Sequence, residues 1–83
     1  MKKKEKETMK FIKYENIFGD GAINVSYIVE LRVEAAFIDG EILKNTWGVV
    51  AQLPYGQGSR IIFVGNDREC QNYIDELIKG VTQ

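Results

Sequence analysis

Between residues 67 and 79 the apolar side chains Cys70, Tyr73, Ile74, Leu77 and Ile78 recur at i, i+3, i+4, i+7 and i+8, the spacing that gathers them into one stripe along a helix. Isolated helices of this length are marginal in water, so the stripe needs a surface to cover it. Asn66 followed by Glu69 has capping-box spacing, with a side-chain acceptor at the N-cap and a carboxylate three residues on that reaches back. At the other end, Lys79 suits the negative end of the helix dipole and Gly80 is the expected residue just past the last turn. The rest of the chain reads as strand, so the covering surface is a sheet.

The clearest strand signal sets Val29, Leu31, Val33 and Ala35 against Glu30, Arg32 and Glu34, the period-2 alternation of a ribbon with one buried and one wet face. Before it, residues 9–17 form a β-rich first strand, residues 18–21 (Phe-Gly-Asp-Gly) a turn, and residues 22–25 a short second strand. Ser26 and Tyr27 bend the chain or mark a bulge. After it, Asp39-Gly40 between apolar pairs reads as a hairpin connection or a wide loop. Residues 46–53 place Trp47, Val49, Ala51 and Leu53 on a core-facing side, and Pro54 ends that strand. Residues 55–59 form a flexible tip leading into Arg60–Val64, whose consecutive apolar residues look covered on both faces. The fold class is therefore α+β: a small antiparallel meander of four to five strands with one C-terminal amphipathic helix packed on one face.

Eighty-three residues leave room for one domain, read as a disordered basic tail over residues 1–8 and a single α+β domain over 9–83. With no histidine and one cysteine, the common zinc sites, Cys/His or Ser/His nucleophile pairs and disulfides within one chain all lack the residues they require. The expectation is a protein that is not an enzyme and uses no cofactor or metal. The lone Cys70, the absence of an 18-residue apolar run and the lack of a secretory leader point to the cytoplasm, with no membrane association. Net charge is -1, but residues 1–10 carry +3 and the remainder -4. The body should repel a phosphate backbone, leaving only the tail lysines Lys2, Lys3, Lys4 and Lys6 as a candidate nucleic-acid arm.

Few residues suggest chemistry. Gly19-Asp20-Gly21 and Gly56-Gln57-Gly58 lie between strands, where a phosphate loop would need to open a helix, and they read as turns. Glu30 and Glu34 sit about 13 Å apart on one strand, too far for a carboxylate pair and well placed to flank Arg32. Asp20, Asp39 and Glu41 match no calcium-loop spacing. Cys70 falls on the apolar stripe and reads as core.

The segment most suited to recognition is the tip from Pro54 to Arg60, where Tyr55, Gln57 and Arg60 form a candidate partner-binding loop. Apolar residues left over once the helix covers one face, namely Phe37, Ile38, Val50, Ile62 and Val64, form a candidate dimer patch.

The stretch Asn24–Leu31, the Trp47–Leu53 strand and the Asn66–Cys70 start with Tyr73-Ile74 carry a resemblance. The chain resembles short β-meander proteins with a C-terminal helix from Gram-positive bacteria and their phages and mobile elements. Those have an I-N-V element, a Trp-containing strand, a hairpin and a closing helix; Cys70 stands where their helices usually place Ala. The resemblance implies the fold and an accessory or inhibitor protein of a mobile element, with no catalytic residue. The reading is a non-enzymatic interaction module, a homodimer that occupies a partner protein. Its rivals are a nucleic-acid-associated regulator using the tail, with Tyr14, Tyr27 or Trp47 as stacking surfaces, and a dimer that sequesters a small ligand.

Overall fold

In a computed structural model, residues 10–82 are described; residues 1–8, read above as a basic tail, lie outside them. The chain runs β1 (Phe11–Asn16), β2 (Gly19–Asn24), a 3₁₀ turn (Val25–Tyr27), β3 (Glu30–Ile38), β4 (Glu41–Gln52), β5 (Ser59–Gly65) and α1 (Asp67–Thr82). The α+β class, the antiparallel pairing and the single C-terminal helix hold. The single meander does not: among the described residues β1 pairs only with β2, in a two-stranded ribbon, and β3-β4-β5 form a separate three-stranded sheet.

The break between the sheets has a local cause at Asn24. This buried side chain accepts from the Ser26 amide at 3.0 Å and from the Ser26 hydroxyl at 2.7 Å, capping the 3₁₀ turn that redirects the chain. An Asx cap of this kind gives the backbone an alternative to continuing the ladder. Asn24 therefore ends β2 where a meander would have turned into its next strand.

Of the hairpin connection and the wide loop left open above, the β3–β4 link is the hairpin, with a two-residue turn. Asp39 at φ 52° and Gly40 at φ 83° are both left-handed, as a type I′ hairpin requires. Below this arm the strands fall out of step, with Ala36 alone facing residues 43–46 of β4 before Ala35 and Trp47 pair again. A second irregularity leaves Ile62 of β5 as the extra residue between the Val49–Phe63 and Val50–Ile61 pairs.

One face of the sheet carries the core. Leu31, Val33 and Ala35 of β3 stand opposite Ala51, Val49 and Trp47 of β4, and the fully buried Val49 and Ala51 cluster with Leu53, Ile62, Cys70 and Ile23. Burying each large aliphatic side chain of this kind stabilises by about 1.5–3 kcal/mol. Tyr73, Ile74 and Leu77 of α1 pack on the cluster, and so do Ile12 and Tyr14 of β1. The β1–β2 ribbon and the helix thus share the same face, the ribbon reaching β5, where Asn16 Nδ2 donates to the Ile61 carbonyl at 3.0 Å.

The helix start is the capping box. Asn66 Oδ1 accepts from the Glu69 amide at 2.8 Å, and Glu69 Oε1 accepts from the Asn66 amide at 2.9 Å. A β-carbon on Gly65 would lie 2.6 Å from that same Glu69 oxygen and 3.1 Å from the Phe63 ring, so glycine makes room for the reciprocal bond. Phe63 stacks on Tyr73 with centroids 4.6 Å apart, locking the first turns to β5. At the far end the structure corrects the reading of Gly80 as the stop, because the helix continues to Thr82. Gly80 lacks the left-handed conformation of that cap, and its carbonyl instead accepts from Lys10 Nζ at 3.5 Å.

Candidate interaction surface

The tip between β4 and β5 is held by backbone bonds at its base. Leu53 N–H donates to the Gly58 carbonyl at 2.8 Å and Gln57 N–H to the Pro54 carbonyl at 3.1 Å, while Gln52 Nε2 donates to the Gly58 carbonyl at 3.0 Å. Leu53 anchors this base in the core. Arg60 folds back along the loop, its Nη1 donating to the carbonyls of Gln57 at 3.3 Å and Ser59 at 3.1 Å. Arg60 thus braces the tip. Tyr55 at the apex has φ 58° and is 94% exposed, a left-handed conformation that costs an aromatic L-residue roughly 1–2 kcal/mol. The closed loop holds a bare aromatic ring in a backbone state it would not choose alone. Of the three candidate loop residues, Tyr55 projects freely, Gln57 contributes backbone bonds, and Arg60 is spent partly within the loop.

The five apolar residues grouped as one patch are separated. Val50 and Ile62 are each only 4% exposed within one chain and Val64 is half-buried, whereas Phe37 and Ile38 remain exposed on the β3–β4 arm with Ile42. Val50 is flanked by its cross-strand neighbours Arg32 and Ile61, and the bulge turns Ile62 into the core cluster. Neither is available for an interface without unfolding.

A different apolar surface runs where the C-terminal half of α1 passes the start of β3. Val25, Ile28, Val29, Leu31, Ile74, Leu77 and Ile78 line a groove of about 330 Å³ with Glu30 at its rim. Its sequence signal was present in the alternation of residues 29–35, which begins with Val29 on the core side, and in Ile78 at the end of the helical stripe. Both are core-type positions that one small sheet and one helix leave partly uncovered.

The remaining candidates resolve individually. Cys70 is fully buried, and burial pushes its thiol pKa up. Arg32 pairs with Glu34 and lies 3.5 Å from Glu30 on the same strand, and its pKa is raised chiefly by the hydrogen bond to Glu34. Glu15 and Asp20 face each other across the β1–β2 ribbon, yet no group of three or more metal-binding side chains gathers among the described residues. Trp47 and Tyr14 are drawn against the core, while Tyr27 is exposed on the 3₁₀ turn. The lysines Lys2, Lys3, Lys4 and Lys6 lie outside the described residues. No helix among the described residues is long and apolar enough to cross a membrane. No family model, curated protein or solved structure matches the chain.

Proposed function

We propose that this protein is a non-enzymatic interaction module that acts by occupying a partner protein through the tip between β4 and β5. The observation that carries this reading is Tyr55, a 94% exposed ring held at φ 58° on a loop closed by four backbone and side-chain bonds. Strain retained at an exposed aromatic apex is characteristic of a preorganised contact residue, because the ordering cost is met before the partner arrives. Tyrosine adds a large, rigid, amphipathic surface with few rotatable bonds, the reason such residues anchor protein interfaces. The acidic balance of residues 11–83 favours a protein partner over a phosphate backbone.

The test is capture of partners from lysate at physiological salt by the full chain, beside Tyr55→Ala and Tyr55→Gly. Both variants should lose the captured protein. Tyr55→Ala should melt close to the parent, since it removes only exposed surface and keeps the β-carbon, and Tyr55→Gly no lower than the parent, since glycine alone sheds the left-handed strain. Capture undiminished in both removes the loop from the reading. Loss of capture on raising salt, with nucleic acid in the eluate, turns the reading toward the Lys-rich tail.

A further inference from the structure

We propose that the free edge of β3 pairs antiparallel with β3 of a second copy, about a two-fold axis at Leu31, closing the apolar groove beside it. Among the described residues, β3 has β4 as its sole ladder neighbour, so its outer backbone groups form an open template for another strand. Such edges are usually blunted by charge, and β3 carries Glu30, Arg32 and Glu34 in a row on the face away from the helix. Those charges allow some pairings and forbid others.

In an antiparallel pair of identical strands, an axis at Arg32 would set Arg32 against Arg32 of the second copy and Glu30 against Glu34, like charge on like throughout. An axis one residue earlier, at Leu31, sets Glu30 against Arg32 of the second copy and Arg32 against its Glu30. The same shift sets Val29 against Val33 and Leu31 against Leu31 on the other side of the strand. An axis at Val33 also matches Arg32 with Glu34, but it carries the ladder into Ala36, where the strand is already out of step with β4. The axis at Leu31 keeps the ladder within residues 29–33, clear of that irregularity; Val29, just before β3, already donates its N–H to the Gln52 carbonyl of β4 at 2.9 Å.

That register also answers the groove. Val29, 63% exposed, and Leu31 lie at the β3 side of the groove, with Ile74 and Leu77 on the helix side. An axis through Leu31 brings the two grooves edge to edge across the seam, so each covers the other's Val29 and Leu31. The result is a continuous six-stranded antiparallel sheet with both helices on one face. An isologous contact of this type closes at two copies.

The test is sedimentation equilibrium at micromolar concentration on the full chain and four charge variants, each first checked by circular dichroism. The parent should be dimeric. Arg32→Glu and Glu30→Arg, each placing like charges opposite across the seam, should raise the dimer dissociation constant at least about tenfold. The double variant Glu30→Arg with Arg32→Glu should restore dimerisation, because opposite charges face each other again. A monomeric parent, single variants that dimerise as tightly as the parent, or a double variant that stays weak would each overturn the proposal. Restoration by Glu34→Arg with Arg32→Glu in place of the 30/32 swap would overturn the Leu31 register.

Discussion

Replacing Asn66 by alanine removes the acceptor that holds the Glu69 amide at 2.8 Å while leaving Glu69 free to reach the Asn66-position amide. One of two reciprocal cap bonds is lost, and both are solvent-exposed, so water partly satisfies the freed amide. Loss of an N-cap side chain costs roughly 0.5–2 kcal/mol, and this exposed geometry places the expected cost at about 1 kcal/mol. In a domain of this size each kcal/mol lowers the melting temperature by about 4–8 °C. Calorimetry should therefore show Asn66→Ala melting lower by about that interval, with Asn66→Asp close to the parent because a carboxylate keeps the acceptor at the positive end of the dipole. An unchanged melting temperature for Asn66→Ala, or an equal loss for Asn66→Asp, would refute the capping argument. The first would mean that the helix is held by its stripe alone, the second that the amide group of Asn66 matters in some way other than as an acceptor.

Two further expectations follow from the core. Val49→Ala removes two carbons from a fully buried side chain at the centre of the sheet and should cost about 2–3 kcal/mol, transfer and cavity together, read as a lower urea midpoint at unchanged slope. Cys70, with an ordinary thiol value of 9.0, is raised chiefly by burial, so above that pH the unfolded chain loses a proton that the folded chain keeps. Stability from this group is fully present below about pH 9 and falls as pH rises toward the folded value. Urea titrations should show that decline, and Cys70→Ala should flatten its first part; a parent whose stability rises between pH 9 and 10 would contradict the sign.

The parts of the fold legible in the sequence were those governed by local rules. The period of Glu30–Ala35, the Asp39-Gly40 turn, the core side of β4 and the Asn66–Glu69 cap each depend on residues within a few positions of one another, and each is present. The misread parts depend on contacts distant in sequence. Consecutive apolar residues at Ile61–Val64 read as a strand covered on both faces, as a central strand or one at a subunit contact would be; all four are buried or half-buried, but β5 ends the sheet order instead of lying at its centre, and a bulge turns Ile62 into the core cluster. No periodicity encodes an extra residue in a ladder. The split into two sheets turns on Asn24, which in the sequence looks like any polar strand-end residue until Ser26 is seen folding back on it. For the same reason the candidate patch of Phe37, Ile38, Val50, Ile62 and Val64 comes apart: Phe37 and Ile38 stay exposed, Val50 and Ile62 are buried, and a separate apolar groove opens beside Val29, Leu31 and the last turns of α1. The strain at Tyr55 was invisible too, since it lies in a backbone angle imposed by the loop's closure.

The claim on which the architecture rests is that α1 is docked through Cys70 onto the sheet, and the reactivity of that thiol reports the docking directly. Cys70 has no exposed surface, so an aromatic disulfide reagent reaches it only when the helix lifts away or the chain unfolds. A small domain stable by about 4 kcal/mol or more should label at least roughly a thousandfold more slowly in native buffer than in denaturing urea. Labelling of the native protein at the rate of the unfolded chain would show that the helix does not cover the sheet.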